Sequence, residues 1–66
     1  MADEIIKVVD EYLDKFISSD LAMIKIKDDK YSRNLLKKYF LTRIRERGIT
    51  KVTSHTFMNE LYLEKI

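Results

Sequence analysis

Between residues 3 and 18 the chain sorts its side chains by helical period. At 100° per residue, Ile5, Ile6, Val8, Val9, Tyr12, Leu13, Phe16 and Ile17 fall within one half of the wheel, and Asp3, Glu4, Lys7, Asp10, Glu11, Asp14 and Lys15 fill the other. The pattern predicts an amphipathic helix with a broad face to bury. Asp3 and Glu4 in its first turn suit the positive end of the helix dipole. A helix of this kind needs a partner layer. With 66 residues, the chain offers a single domain, residues 1–66, to supply it. A chain so short is marginally stable without help. There is no Cys for a disulfide, and one His cannot build a zinc site. Help has to come from a regular core, from self-association or from a larger partner.

The remaining segments read less clearly. In "SSDLAMIKIKDDK" (18–30), Ser18, Ser19 and Asp20 are stop or cap residues. Ile24-Lys25-Ile26-Lys27 alternates as a half-buried strand would, and a short helix capped by Ser19 or Asp20 fits equally well. Asp28 and Asp29 look like caps for a second helix over 31–47, whose stripe is Leu36, Phe40 and Ile44, widened by Leu35 and Tyr39. Gly48, the only glycine, stands where a left-handed residue would end that helix. Arg43, Arg45 and Arg47 suit its negative end. "ITKVT" (49–53) could form a short strand paired with residues 23–27. Thr53 or Ser54 would then cap a third helix over 54–65, with Phe57, Met58, Leu61, Tyr62 and Ile66 on one half of its wheel. The expectation is an all-α, three-helix bundle, with at most a minor β pairing of 23–27 with 49–53.

Composition narrows the class. Apolar residues make up 45% and charged residues 36%, too apolar for a disordered chain and too charged for a membrane one. No apolar run exceeds four residues, and the acidic start is unlike a signal peptide. These features predict a soluble, cytoplasmic protein with no membrane partner. The lack of Cys fits a reducing compartment, and the scarcity of Gly and Pro beside abundant Lys, Ile and Glu suits a thermophile.

Catalytic chemistry finds little support. His55 is the sole histidine, and Ser54 beside it would point elsewhere on a helix. No carboxylate falls on an apolar stripe, and one glycine cannot make a phosphate loop. The expectation is a non-enzymatic protein with no catalytic residue, cofactor or metal.

Charge is the better lead. Residues 1–20 carry two Lys against six acids, a net of −4; residues 21–53 carry ten Lys and Arg against three acids, a net of +7; residues 54–66 carry one Lys against two Glu, a net of −1. The overall +2 hides a basic middle. On the second helix, Asn34, Lys37, Lys38 and Arg45 cover an arc of about 100° opposite the core, with Leu41 inside it. Arg33 and Arg47 lie towards its edges and ends, and Lys30 and Lys51 flank it from the joints. Lys30, Arg33, Lys37, Lys38, Arg45, Arg47 and Lys51 would contact a phosphate backbone, with Leu41 a contact point among them. The partner would be nucleic acid or a nucleoprotein complex. The same surface could serve a structural or regulatory subunit docking on a larger protein, or a homodimer. Tyr31, beside Lys30 and Arg33, is the tyrosine placed best for such contacts.

"GITKVTSHTFMNEL" also resembles the start of a helix-turn-helix pair, but the chain ends about one helix after the cap. "RIRERGITKVTSHTFMNEL" (43–61) resembles the end of the small helical C-terminal domain of light-independent protochlorophyllide reductase B subunits, through Arg45, Glu46, Gly48, Val52 and Thr53. That resemblance implies a basic helix turning into a final helix, and it brings no catalytic or substrate role.

Overall fold

A computed structural model describes residues 2–66. The elements run α1 (Ala2–Ser18), β1 (Met23–Ile26), α2 (Arg33–Glu46), β2 (Val52–Phe57) and β3 (Glu60–Lys65). The three strands form one antiparallel sheet in the order β1-β3-β2. The protein is therefore an α+β fold and not an all-α bundle. The first two helices stand within two residues of their expected bounds; the third does not exist.

Residues 54–65 fold as a hairpin because a two-residue period outweighs the helical one. Leu61 and Leu63 are buried while Glu60, Tyr62 and Glu64 alternate outward, and Val52 and Ser54 face inward on β2, Ser54 opposite Leu63. Met58 and Asn59 make the turn with φ of 51° and 65°. Positive φ at both central positions matches the twist of the flanking strands, as in a type I′ turn. Asn59 suits that conformation; Met58 is an uncommon choice there. The expected pairing of 23–27 with 49–53 is also corrected. β1 joins β3 instead, with Ile24 opposite Leu63 and Ile26 opposite Leu61. Neither Thr53 nor Ser54 caps a helix. Ser54 is 4% exposed inside β2, and its Oγ has no hydrogen-bond partner among the described residues. A buried hydroxyl left so costs about 1–3 kcal/mol.

Both helices cover the inner face of the sheet. One core joins Ile5, Val9, Leu13 and Phe16 of α1, Leu36 and Phe40 of α2, and Ile26, Val52, Leu61 and Leu63 of the sheet. The α1 residues repeat every three to four positions, so the seam is narrower than the full apolar half of its wheel; Ile17 is left 43% exposed. Tyr12 packs edge-on against Phe40 with ring centroids 6.1 Å apart, and its hydroxyl donates to the Lys27 carbonyl at 3.1 Å, tying α1 to the end of β1.

The ends of α2 are fixed by local chemistry. Ser32, not Asp28 or Asp29, is its N-cap, its Oγ accepting the Leu35 N–H at 3.2 Å. Asp28 works one turn earlier, with Oδ1 accepting the Lys30 and Tyr31 N–H groups at 2.8 and 3.2 Å. At the other end Gly48 has φ of 66°. The Ile49 N–H bonds to the Ile44 carbonyl at 3.0 Å and the Gly48 N–H to the Arg45 carbonyl at 3.1 Å. This is the Schellman arrangement, with Ile44 and Ile49 both packed against the core.

Candidate nucleic-acid interface

The basic middle of the chain divides into two groups once α1 and α2 pack together. One group faces α1. Arg43 makes a bidentate contact with Asp10, Nε to Oδ1 at 3.0 Å and Nη2 to Oδ2 at 3.1 Å, while its Nη1 reaches Glu46 at 3.2 Å. Arg47, at the C-cap of α2, reaches Asp14 at 2.6 Å and Asp10 at 3.6 Å. Lys30 pairs with Glu4 across the start of the two helices and lies 5.6 Å from the centre of the Tyr31 ring. Planar forks matched to carboxylates make the Arg43 contact the most directed of these. Asp10, first in cause, and Glu46 hold the Arg43 guanidinium above its ordinary value. The hydrogen bond and charge of Lys30 hold Glu4 below the usual carboxylate value, and Glu4 raises Lys30 in return. The acidic face of α1 is thus the counter-surface for Lys30, Arg43 and Arg47.

The second group faces solvent. Arg33, Lys38 and Arg45 are exposed on α2, Lys37 is half-buried, and none of the four makes an ion pair among the described residues. Asn34 and Leu41, the latter 38% exposed, lie on the same side of the helix. The only carboxylate on α2 is Glu46, and it is held by Arg43. The outward arc is therefore a cationic strip without an internal counterion. Lys51 is exposed but lies off this strip, just ahead of β2, with its carbonyl accepting the Ile66 N–H at 2.9 Å.

Of the eight residues expected to form the interface, Lys37, Lys38, Leu41 and Arg45 share the outward arc of α2, while Arg33 stands in its first turn beside the β2–β3 turn. The structure separates Lys51 from them and engages Lys30 and Arg47 with α1. Tyr31 is half-buried against the core. Ser54 and His55 point to opposite faces of β2, so they form no dyad.

Two features were missed in the sequence. The first is the Asp10/Asp14 and Arg43/Arg47 match. Both pairs are spaced i,i+4, and that shared spacing on consecutive helices was a usable signal. The second lies on the outer face of the sheet, where His55 stacks on Tyr62 with centroids 5.8 Å apart and planes 25° apart. A helix over 54–65 would not bring these two rings together. His55 Nε2 lies 3.1 Å from Glu64 Oε1 but makes no directed hydrogen bond, so the contact is a charge attraction that operates when the ring is protonated.

Among the described residues no helix is long and apolar enough to cross a membrane. No protein-family model matches the chain. Neither curated proteins nor solved structures give a match.

Proposed function

We propose that this is a small non-enzymatic accessory protein that binds the phosphate backbone of nucleic acid, alone or within a nucleoprotein complex, through the outward arc of α2. The observation that supports it most is the cationic strip Lys37, Lys38 and Arg45, with Arg33 at the start of the helix, none of which has a counterion among the described residues while the rest of the α2 cations do. Clustered cations of this kind release counterions from a phosphate backbone and carry no base specificity. Asn34 and Leu41 add a hydrogen-bonding and an apolar contact within the strip.

Anisotropy of a labelled duplex, titrated across a series of salt concentrations, tests the reading. Four phosphate contacts give a log–log salt slope of about −3 to −4. Lys38→Ala and Arg45→Ala should each make the slope shallower by about 1. Binding that is absent at low salt, or that ignores salt, overturns the proposal.

A second reading, a subunit docking on a larger protein, is supported by a different end of the molecule. Ile17, Leu21, Met23 and Ile66 are 43%, 56%, 47% and 83% exposed. A cleft of about 490 Å³ opens between Ile17, Ile49, Val52 and Ile66. Ile17 and Ile66, exposed apolar residues that share this cleft, suit a protein contact. Ile17→Glu would abolish association on this reading and leave nucleic-acid binding intact; Leu41→Glu would weaken both if the two partners share α2.

A further inference from the structure

The outer face of the sheet carries aromatic rings, is covered by nothing among the described residues, and lies across the core from the α2 strip. The strand register fixes what it displays. Lys25 of β1, Tyr62 of β3 and His55 of β2 form one cross-strand row. Phe57 follows His55 on the same face two residues along β2 and is 61% exposed. Tyr62 and His55 stack on each other, and both stay part-exposed. Lys27 continues the alternation beyond Lys25, and Lys51 precedes Thr53 on the same face of β2; neither they nor Lys25 make an ion pair among the described residues. Two carboxylates share the face. Glu64 is turned towards His55, and Glu60 lies opposite Phe57 at the turn.

We propose that this face binds a single-stranded nucleic acid, with unpaired bases stacking on Tyr62, His55 and Phe57 and phosphates meeting Lys25, Lys27 and Lys51. The chemistry follows from what the face offers. Flat rings on adjacent strands accept any base through its π-face, and lysines at the margin meet the backbone that joins the bases. A duplex cannot use the rings, because its bases are already stacked on each other. The hairpin tip limits the platform at one end. Glu60 stands in one row with Phe57 and, by the continued β1–β3 register, Lys27, so the strand crosses the face from the Phe57 and Lys27 end towards Lys25 and Lys51 and not past the turn. The inference goes beyond the α2 reading and does not depend on it.

Anisotropy with labelled dodecamers of thymidylate and uridylate, and with a duplex of the same length, tests the proposal on the full chain. Tyr62→Ala and Phe57→Ala should each weaken single-strand binding by roughly tenfold or more. Tyr62→Phe, which keeps the ring, should stay within about twofold. Neither alanine variant should alter duplex binding, whereas the double variant Lys38→Ala with Arg45→Ala should lower duplex binding alone. Circular dichroism confirms that each variant is folded, and Lys25→Ala with Lys27→Ala provides a probe at exposed positions should an aromatic variant unfold; it should make the single-strand salt dependence shallower. Three results overturn the proposal: no single-strand binding by the parent protein at low salt, single-strand binding unchanged in Tyr62→Ala and Phe57→Ala, or a parent protein that sediments as an oligomer which Tyr62→Ala converts to monomer. The last would assign the face to self-association.

Discussion

The two sides of α2 carry the same kind of residue in different circumstances. On the α1 side, Arg43 and Arg47 are held by Asp10 and Asp14, with side chains about three-quarters and two-thirds removed from solvent. On the solvent side, Lys38 and Arg45 have no acidic partner among the described residues. A charge tally along the chain gives every one of these cations equal weight, yet their physical roles differ. The paired ones have exchanged hydration for directed contacts that orient the helices. The unpaired ones keep their hydration and counterions, and so keep the capacity to release them to a polyanion. Segregation of acids in α1 from bases in α2 is thus in part a docking code between two helices and only in part a binding surface.

The difference between the sides can be broken or sharpened experimentally. Phe40, fully buried on the core face of α2, is the contact on which both sides depend. Phe40→Ala should cost about 3–5 kcal/mol, comparable with the whole stability expected of so small a domain. Denaturant titration should show a largely unfolded variant, with nucleic-acid binding lost as a consequence. Arg43→Ala leaves the Asp10 carboxylate without its fork. It should lower the melting temperature distinctly more than Arg45→Ala does, and salt should shrink the difference only in part, because the pair is three-quarters shielded. The double variant Lys38→Ala with Arg45→Ala should reverse that order of effects. Its stability should stay within about 0.5 kcal/mol of the parent, while its duplex affinity falls and its salt slope becomes shallower by about 2. Equal stability losses from Arg43→Ala and Arg45→Ala would remove the distinction between the two sides.

The smallest effect belongs to the exposed Lys30–Glu4 pair. Glu4 has its pKa lowered by folding, so its contribution is present above the ordinary carboxylate range and is lost as pH falls through the lowered value. Lys30 has its pKa raised, so its contribution is lost only as pH climbs through that raised value. Thermal melts of the parent and Glu4→Gln should therefore differ slightly at neutral pH and converge in acid. Added salt should shrink the gap further, as it does for solvent-exposed pairs.

The helical half of this fold is legible in the sequence because its signals are redundant. In α1 the apolar positions, the acidic first turn and the Ser18-Ser19 stop agree on one element. In α2 the Leu36-Phe40-Ile44 stripe agrees with Gly48, whose left-handed conformation only a few residues tolerate. The hairpin half is illegible for an equally physical reason. Phe57, Met58, Leu61 and Tyr62 sit at spacings that fit a helix stripe as well as they fit two strands. The turn that decides between them is Met-Asn, not the familiar Asn-Gly. Thr53 and Ser54 compounded the ambiguity, since hydroxyl residues serve as caps and as strand residues alike. The candidate interface follows the same division. Lys38, Leu41 and Arg45 were readable because α2 was. The stacked His55 and Tyr62 come together only because residues 52–65 form two paired strands.

The strand order has a consequence for how the chain assembles. Within the sheet β1 and β2 are not paired with each other; each is hydrogen-bonded to β3. The β2–β3 ladder closes across the two residues Met58 and Asn59, whereas the β1–β3 ladder has to bring Ile26 to Leu61. Loop-closure entropy rises with the intervening length, so the hairpin is the inexpensive step and the capture of β1 the slow one. β1 is also the shortest strand, with four residues against six in each of the others. Opening of the native state should therefore start by peeling this strand from the sheet, and amide exchange at Ile24 and Ile26 should run ahead of that at Thr53 and His55.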